Sequence, residues 1–343
     1  MSCPDRRRGP SGSGRALNRR RFVALIGGVL AAPLARAQQP AKIRRIGVLA
    51  VGVSSAEQQQ WAQLYFLKLL REAGYEDGRN AVVEWRFAEG DVTRLPALAD
   101  ELIRLNVEVI VASFNQSIAV AKRATRTIPV VMLNAVSPVE QGFIDSLGRP
   151  GGNITGTAWS SPETVGKILQ VLKEAAPRAT RVAILGNPDF SNDKSHITAA
   201  TQAGATLGMS VQFFDARRPE DIGPALEKIA ASKSQSLFAA VDTILISRLR
   251  EIAEFALRKK MFSISTAATF VDVGGLLYYG PDLNELGERT MSYVVRILAG
   301  AKPADLPVEL PSKYQLIINK KTAAAIGHKI PPSLLIRADR VIE

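Results

Sequence analysis

The sequence predicts an α/β protein made of two Rossmann-like, doubly wound parallel-sheet lobes. Three observations carry that expectation. Strand and helix signals alternate along almost the whole chain after residue 45. The alternation runs twice, with strand starts near 46, 82, 107 and 129 and again near 181, 210, 236 and 262. A length of 343 residues is comfortable for two domains.

In the first half, Ile46–Val51 is a short apolar run ending in a Gly/Ser loop, the mark of a buried strand. A helix follows, with Trp61, Leu64, Tyr65, Leu69 and Ala73 at three- and four-residue spacing and Gly74 as its stop. Val83, Trp85 and Phe87 alternate with polar residues, as an edge strand does. Leu95–Leu105 reads as helix, Val107–Ala112 as strand, Ser117–Thr125 as helix and Pro129–Leu133 as strand. The second half repeats the order. Arg181–Leu185, Ser210–Phe214, Ser236–Ala240 and Phe262–Ser265 are strands. Helices over His196–Leu207, Pro219–Ala231 and Ile244–Arg258 separate them, with Pro219 near its first turn. The halves join around 150–165, where Gly148–Asn153 reads as a sharp loop needing positive φ. The tail breaks the pattern. Leu283–Leu298 is a long helix, Ala301–Pro311 is Pro-rich and extended, Tyr314–Ile318 is a strand, and Lys321–Gly327 is a short helix before Ile336–Val341 closes the chain. Such a tail suits a return between lobes.

The formal net charge of +12 invites a nucleic-acid reading, but its location removes it. Residues 1–37 hold eight arginines and one acid, leaving +5 for the rest, a soluble surface rather than a phosphate footprint. No nucleic-acid partner is expected. Arg19-Arg20-Arg21-Phe22 opens an apolar run to Leu34, too short to span a bilayer, and Ala35-Arg36-Ala37 fits a signal-peptidase site. Residues 1–37 therefore read as a removable export signal, and the arginine pair followed by x-Phe resembles the twin-arginine type. The only cysteine, Cys3, lies in that leader, so the mature chain has no disulfide and no Cys-based site. His196 and His328, the only histidines, are 132 positions apart, and no metal spacing appears. Glycine-rich phosphate motifs and a G-x-S-x-G elbow are absent, so neither cofactor nor catalysis is expected.

Polar residues collect instead where strands end and helices begin, the edge at which parallel α/β sheets bind ligands. In the first half these are Ser54, Ser55, Ser113, Asn115, Gln116, Ser117, Asn134 and Ser137. In the second they are Asn187, Asp189, Asp242, Thr243, Ser265 and Thr266. Each singly is also a favoured helix N-cap, so the signal is their collective placement. A helix N-terminus with hydroxyls beside it suits a carboxylate, and Asp242 is placed to receive an ammonium group. Tyr278, Tyr279 and Phe114 are candidates to cover an apolar side chain.

Several segments now match one family. They are Ile46-Gly47-Val48-Leu49, Arg71 to Asn80 (REAGYEDGRN), Ala124 to Val131 (ATRTIPVV), Ser146 to Gly156 (SLGRPGGNITG), Tyr279-Gly280-Pro281-Asp282-Leu283, Gly300 to Glu309 (GAKPADLPVE) and Ile330 to Leu335 (IPPSLL). The set, spanning about 43–343, resembles the ABC-transporter substrate-binding proteins related to the tryptophan-binding TrpX type, which have the type I periplasmic-binding fold. The resemblance implies two lobes joined by a three-crossing hinge: 43–157 plus about 282–312, and 158–281 plus about 313–343. It implies a small-molecule solute, aromatic amino acids or similar, held between the lobes of a monomer and presented to an ABC permease in the inner membrane. Ser113–Ser117 match the helix entrance that holds a ligand carboxylate, and Asp242-Thr243 match the pair facing the amino group. Asn187-Pro188 is retained. Where the family usually has Asp-Pro-Val, this chain has Ser137-Pro138-Val139. A transport binding protein is the first functional reading. A sensory partner of a receptor and an enzyme on the same scaffold are the alternatives, the last without a nucleophile–base set.

Overall fold

A computed structural model describes residues 43–52, 56–160, 162–188, 194–240 and 242–343. The expected export signal at 1–37, Ser54, Ser55 and Asp189 lie outside the described residues.

The first sheet is wholly parallel. It contains β1 (Arg44–Ala50), β2 (Ala81–Phe87), β3 (Val109–Ser113), β4 (Val130–Val136) and β5 (Ile154–Ser160), in the order β2-β1-β3-β4-β5. The helices α1 (Ala56–Glu72), α2 (Leu95–Arg104) and α3 (Phe114–Ala124) connect its strands. β2 lies at the edge, as its alternation predicts. β1 reads as a continuous apolar run because both faces are covered. Ile46 and Val48 pack with Leu69 and Leu70 of α1, while Leu49 packs with Leu95 and Leu102 of α2. On the α1 face a helix from the tail, α10 (Leu283–Leu298), completes the core through Met291, Val294 and Ile297.

The second sheet has seven strands. α4 (Pro162–Ala175) leads into β6 (Arg181–Gly186), and α5 (Lys194–Thr206) into β7 (Ser210–Asp215). A 3₁₀ turn at Pro219–Asp221 precedes α6 (Ile222–Ala231) and β8 (Ser236–Ala239). Next come α7 (Thr243–Ile246), α8 (Leu249–Arg258), β9 (Phe262–Ser265), α9 (Thr269–Asp272) and β10 (Leu277–Pro281). After α10 the chain returns with β11 (Tyr314–Asn319), α11 (Lys320–Ala325), α12 (Pro332–Arg337) and β12 (Arg340–Ile342). The order is β12-β11-β10-β9-β8-β6-β7, parallel except for the antiparallel pairing of β10 with β11. Leu169 and Leu172 of α4 cover one face and Ile252 and Phe255 of α8 the other.

Three elements depart from the sequence reading. The 244–258 helix is two helices, because Arg248 leaves helical geometry (φ −126°, ψ 17°) and Ser247 Oγ donates to Ile244 O at 2.7 Å. The 148–153 loop is present, with Gly151 at φ +82°, but it feeds a strand, β5, and then the helix α4. β5 is close to β4 because Gly156 adopts φ +130°; a Cβ there would lie 2.5 Å from Met132 N. β10, β11 and β12 widen the second sheet beyond the four strands expected of that half, β11 being the strand read in the tail. The chain crosses between the sheets three times: from β5 to α4, from β10 to α10, and from the extended segment after α10 to β11.

Candidate functional site

Strand order fixes where a ligand can sit. In each sheet the second strand lies outside the first and the third lies on its other side. The connections therefore diverge, leaving a crevice at the carboxyl ends of β1 and β3, and of β6 and β8. All three crossings leave or enter at carboxyl ends of the parallel strands: after Ser160, after Pro281 and before Tyr314. A hinge built this way turns the two carboxyl edges toward each other.

On the first edge, α3 begins without a side-chain cap, since Ser113 in the cap position makes no such bond. Its first-turn N–H groups form a positive pole, and Gln116 and Ser117 beside them are buried. The β4 end is irregular. Its register with β5 shifts twice between Met132 and Val136. Asn134 (φ 61°), Ser137 (φ 45°) and Phe114 (φ 60°) occupy the left-handed region, at about 1–3 kcal/mol each. Asn106, Lys233 and Lys260 share that conformation but merely end helices.

Unpaired polar atoms mark both carboxyl edges. Among the described residues, buried side-chain atoms without a hydrogen-bond partner are Ser117 Oγ, Asn134 Oδ1, Ser137 Oγ, Trp159 Nε1, Asp242 Oδ2 and Ser236 Oγ. Only Ser236 lies at the opposite, amino end of its strand. Each such atom destabilises a fold by about 1–3 kcal/mol, so gathering five at two facing edges is poor for stability and well suited to a polar solute.

On the second edge, Asp242 follows β8 and caps α7. Its Oδ1 accepts from Ile244 N at 2.9 Å and Leu245 N at 3.0 Å. The residue is 5% exposed. Burial raises its carboxyl above the ordinary value, against the pull of the Leu245 amide, the neighbouring Asn187 side chain and the Ile244 amide. Asn187, buried at the end of β6, thus meets Asp242 across the switch point. Thr243 is the first residue of α7.

Other predicted residues serve the frame. Asn115 Nδ2 donates to Val136 O at 2.9 Å and its Oδ1 accepts from Val136 N at 2.8 Å, so both ends of the amide fasten β4 to α3. Ser265 Oγ donates to Ala239 O at 3.1 Å and accepts from Ala267 N at 3.2 Å. Tyr279 stacks on Tyr314 with centroids 5.7 Å apart, across the antiparallel β10–β11 pair. Tyr278 is core, its hydroxyl bonded to Pro281 O at 2.7 Å, so it covers no solute. Trp159 escaped the sequence reading altogether. The alternation of Ile154-Thr155-Gly156-Thr157-Ala158-Trp159 is a strand signal that would have put it on this edge.

A cavity of about 880 Å³ also opens between the sheets' helices and loops, lined by Glu140 and Gln141 on one side and Gly166, Lys194 and Gln202 on the other. None of the unpaired atoms lines it. Its polar lining is largely exposed and needs no partner, so the site is better placed on the buried atoms. Among the described residues no cluster of metal-ligating side chains occurs, and no helix is long and apolar enough to cross a membrane.

Two α/β lobes, hinged at their carboxyl edges around buried polar atoms, define a cleft-type solute-binding protein. Residues 55–342 match the model of the ABC transporter substrate binding protein family, and the chain belongs to that family. The "Tyrosine-binding protein" of Clostridioides difficile (strain R20291) is 26% identical over 261 residues, 76% of this chain and 75% of that one. A crystal structure of a conserved domain protein from Vibrio cholerae superposes with a TM-score of 0.81 at 26% identity, covering 88% of this chain and all of that one. An ABC domain from Streptococcus pneumoniae in complex with L-Trp gives 0.78 at 26% identity, over 87% and 100% of the two chains. The architecture is that of type I periplasmic binding proteins.

Proposed function

We propose that this chain is the exported solute-binding component of an ABC transporter. It holds a small carboxylate-bearing solute, an amino acid or related organic acid with aromatic amino acids foremost, and presents it to an inner-membrane permease. The observation that carries the reading is an uncapped helix N-terminus at one carboxyl edge with a buried, half-satisfied carboxylate at the other. The N–H groups of α3 with Ser113 and Ser117 take the solute carboxylate. Asp242 Oδ2 takes its ammonium group. Gln116, Asn134, Ser137 and Asn187 line the space between, and on the sequence reading Ser54, Ser55 and Thr243 join them as solute contacts. Two similar proteins named for tyrosine binding or holding L-Trp support an aromatic amino acid.

The lobes are 43–157 with about 282–312, and 158–281 with about 313–343. Each crossing links them, and the solute favours the closed arrangement because it bonds to both. The chain acts as a monomer without catalysis. Its first 37 residues direct export, by the twin-arginine route, to the periplasm. A thermal-shift screen of the full chain tests the solute class, using L-Trp, L-Tyr, L-Phe, branched-chain amino acids and aromatic acids. A solute at about a hundred times its Kd adds roughly 2.7 kcal/mol to folded-state stability. A screen in which none of them raises Tm refutes the class.

A further inference from the structure

Trp159 is unlike every other buried aromatic near the cleft, because its one polar atom has no partner. It is the penultimate residue of β5 and 6% exposed, packed with Val136 of β4 and Leu286 of α10. Its Nε1 is buried and bonded to nothing in the protein. An indole N–H only donates, and a buried one ordinarily finds an acceptor. The buried tyrosines nearby illustrate the rule: Tyr278 donates to Pro281 O at 2.7 Å and Tyr293 to Pro307 O.

Its surroundings say what kind of acceptor is missing. Val136, against which the indole packs, is held by the double hydrogen bond to Asn115 and directly precedes Ser137, whose buried Oγ is also unpartnered. The ends of the two strands read Asn134-Ala135-Val136-Ser137 and Ala158-Trp159-Ser160. They supply no charged group. A subsite of one fixed neutral donor and one hydroxyl matches a neutral oxygen rather than a carboxylate or an ammonium group.

We propose that Trp159, with Ser137, forms a subsite that binds a neutral hydrogen-bond-accepting oxygen, a hydroxyl or carbonyl, on the side-chain end of the solute. The inference rests on the solute-binding reading above and deepens it: side chains bearing such an oxygen are selected over plain hydrocarbon rings. Sites that hydrogen-bond a substrate oxygen discriminate strongly against analogues lacking it.

L-tyrosine and L-phenylalanine differ by one such oxygen and serve as probes, in calorimetric titrations of the full chain. The expected result is at least about tenfold tighter binding of L-Tyr, a ratio lost in Trp159→Phe while L-Phe affinity is kept. Equal affinities in the unaltered chain, or a ratio that survives in Trp159→Phe, overturn the proposal. A second measurement does not depend on that variant folding. The chain has three tryptophans, Trp61, Trp85 and Trp159, and Trp61→Phe and Trp85→Phe assign their indole N–H resonances by elimination. The Trp159 resonance is expected to shift downfield with L-Tyr and stay put with L-Phe; no shift with L-Tyr overturns the proposal. If neither amino acid binds, the aromatic amino-acid reading falls along with it, whereas binding of both without discrimination overturns only the Trp159 subsite.

Discussion

Replacing Asp242 by asparagine separates two roles that one side chain holds. As a cap, Oδ1 serves Ile244 N and Leu245 N, and an asparagine oxygen serves them as well. As a charge, the carboxylate is desolvated by burial, with Oδ2 left unpaired. Asp242→Asn keeps the cap and removes the charge. The solute-free chain is therefore expected to lose nothing and to gain up to about 1 kcal/mol, seen as a Tm unchanged or higher by roughly 2 °C. Binding moves the other way. Losing one partner of a buried charge-assisted pair weakens association by about 2–5 kcal/mol, or roughly 30- to 4000-fold.

The signature is thus a variant at least as stable as its parent and nearly blind to amino acids. Thermal melts with and without L-Trp or L-Tyr, backed by calorimetric titration, read both halves. Asp242→Ala supplies the contrast, because it also loses the cap and should cost the solute-free chain about 1 kcal/mol. An Asp242→Asn chain that binds an amino acid as tightly as its parent would refute the assignment of this carboxylate to the ammonium group.

Further expectations concern pH and the frame. Because burial raises the Asp242 carboxyl in the free chain, it takes up a proton at higher pH than an exposed aspartate does, and an ammonium group holds it charged. Binding should then release protons and weaken as pH falls through that raised value, detected by titration in buffers of different ionisation enthalpy; pH-independent affinity would exclude the pairing. For the free chain the sign reverses. The stability associated with Asp242 is full below the usual carboxylate pKa and is lost as pH rises through the folded value. Asn115→Ala strands Val136 N and O in a buried place; a loss of about 2–5 kcal/mol in urea denaturation is expected. Gly156→Ala sets a methyl against the Met132 backbone at φ +130°, where neither strand has room to move; destabilisation of about 3 kcal/mol or more is expected, read by the same denaturation.

Legibility followed how local the deciding physics was. Phe262–Ser265 and Leu283–Leu298 match their predicted limits because a clean apolar period spans each. β5 carries a strand alternation, but what its polar residues do was hidden because they do not face water: Thr155 Oγ1 donates to Leu306 O at 2.6 Å and Thr157 Oγ1 lies 3.1 Å from Thr290 Oγ1, contacts made more than 130 positions away. At the site, the group Ser113–Ser117 was legible because polar residues abruptly follow an apolar strand. The division of labour within it was not. Asn115 and Ser117 are equally polar on paper, yet the first is fully spent on Val136 and the second is left without a partner. The alternation can place Trp159 on the edge but not show its role: an aromatic in sequence is a core residue until its N–H is found unpaired.

The hinge and the candidate site share their segments, which bears on how a solute could favour closure. Glu309, just before the third crossing, pairs with the Thr157 backbone and takes the Tyr293 hydroxyl at 3.1 Å and the Arg289 guanidinium. Glu285, in the first turn of α10, accepts from Lys313 N at 3.0 Å and Arg289 at 2.7 Å, and bonds Ser312. Although partial burial opposes it, the bonds from Ser312, Lys313 and Arg289 hold the Glu285 carboxyl below its ordinary value, so the clasp stays charged at neutral pH. The first and third crossings are thereby fastened to the helix that follows the second. Trp159 stands two residues from Thr157 and packs on Leu286, next to Glu285. A solute bond to the Trp159 N–H would thus act on the segment that carries the hinge, and one to Asp242 would act from the other sheet. A solute satisfying both gains differential affinity for one arrangement of the lobes, and only such a difference shifts their equilibrium.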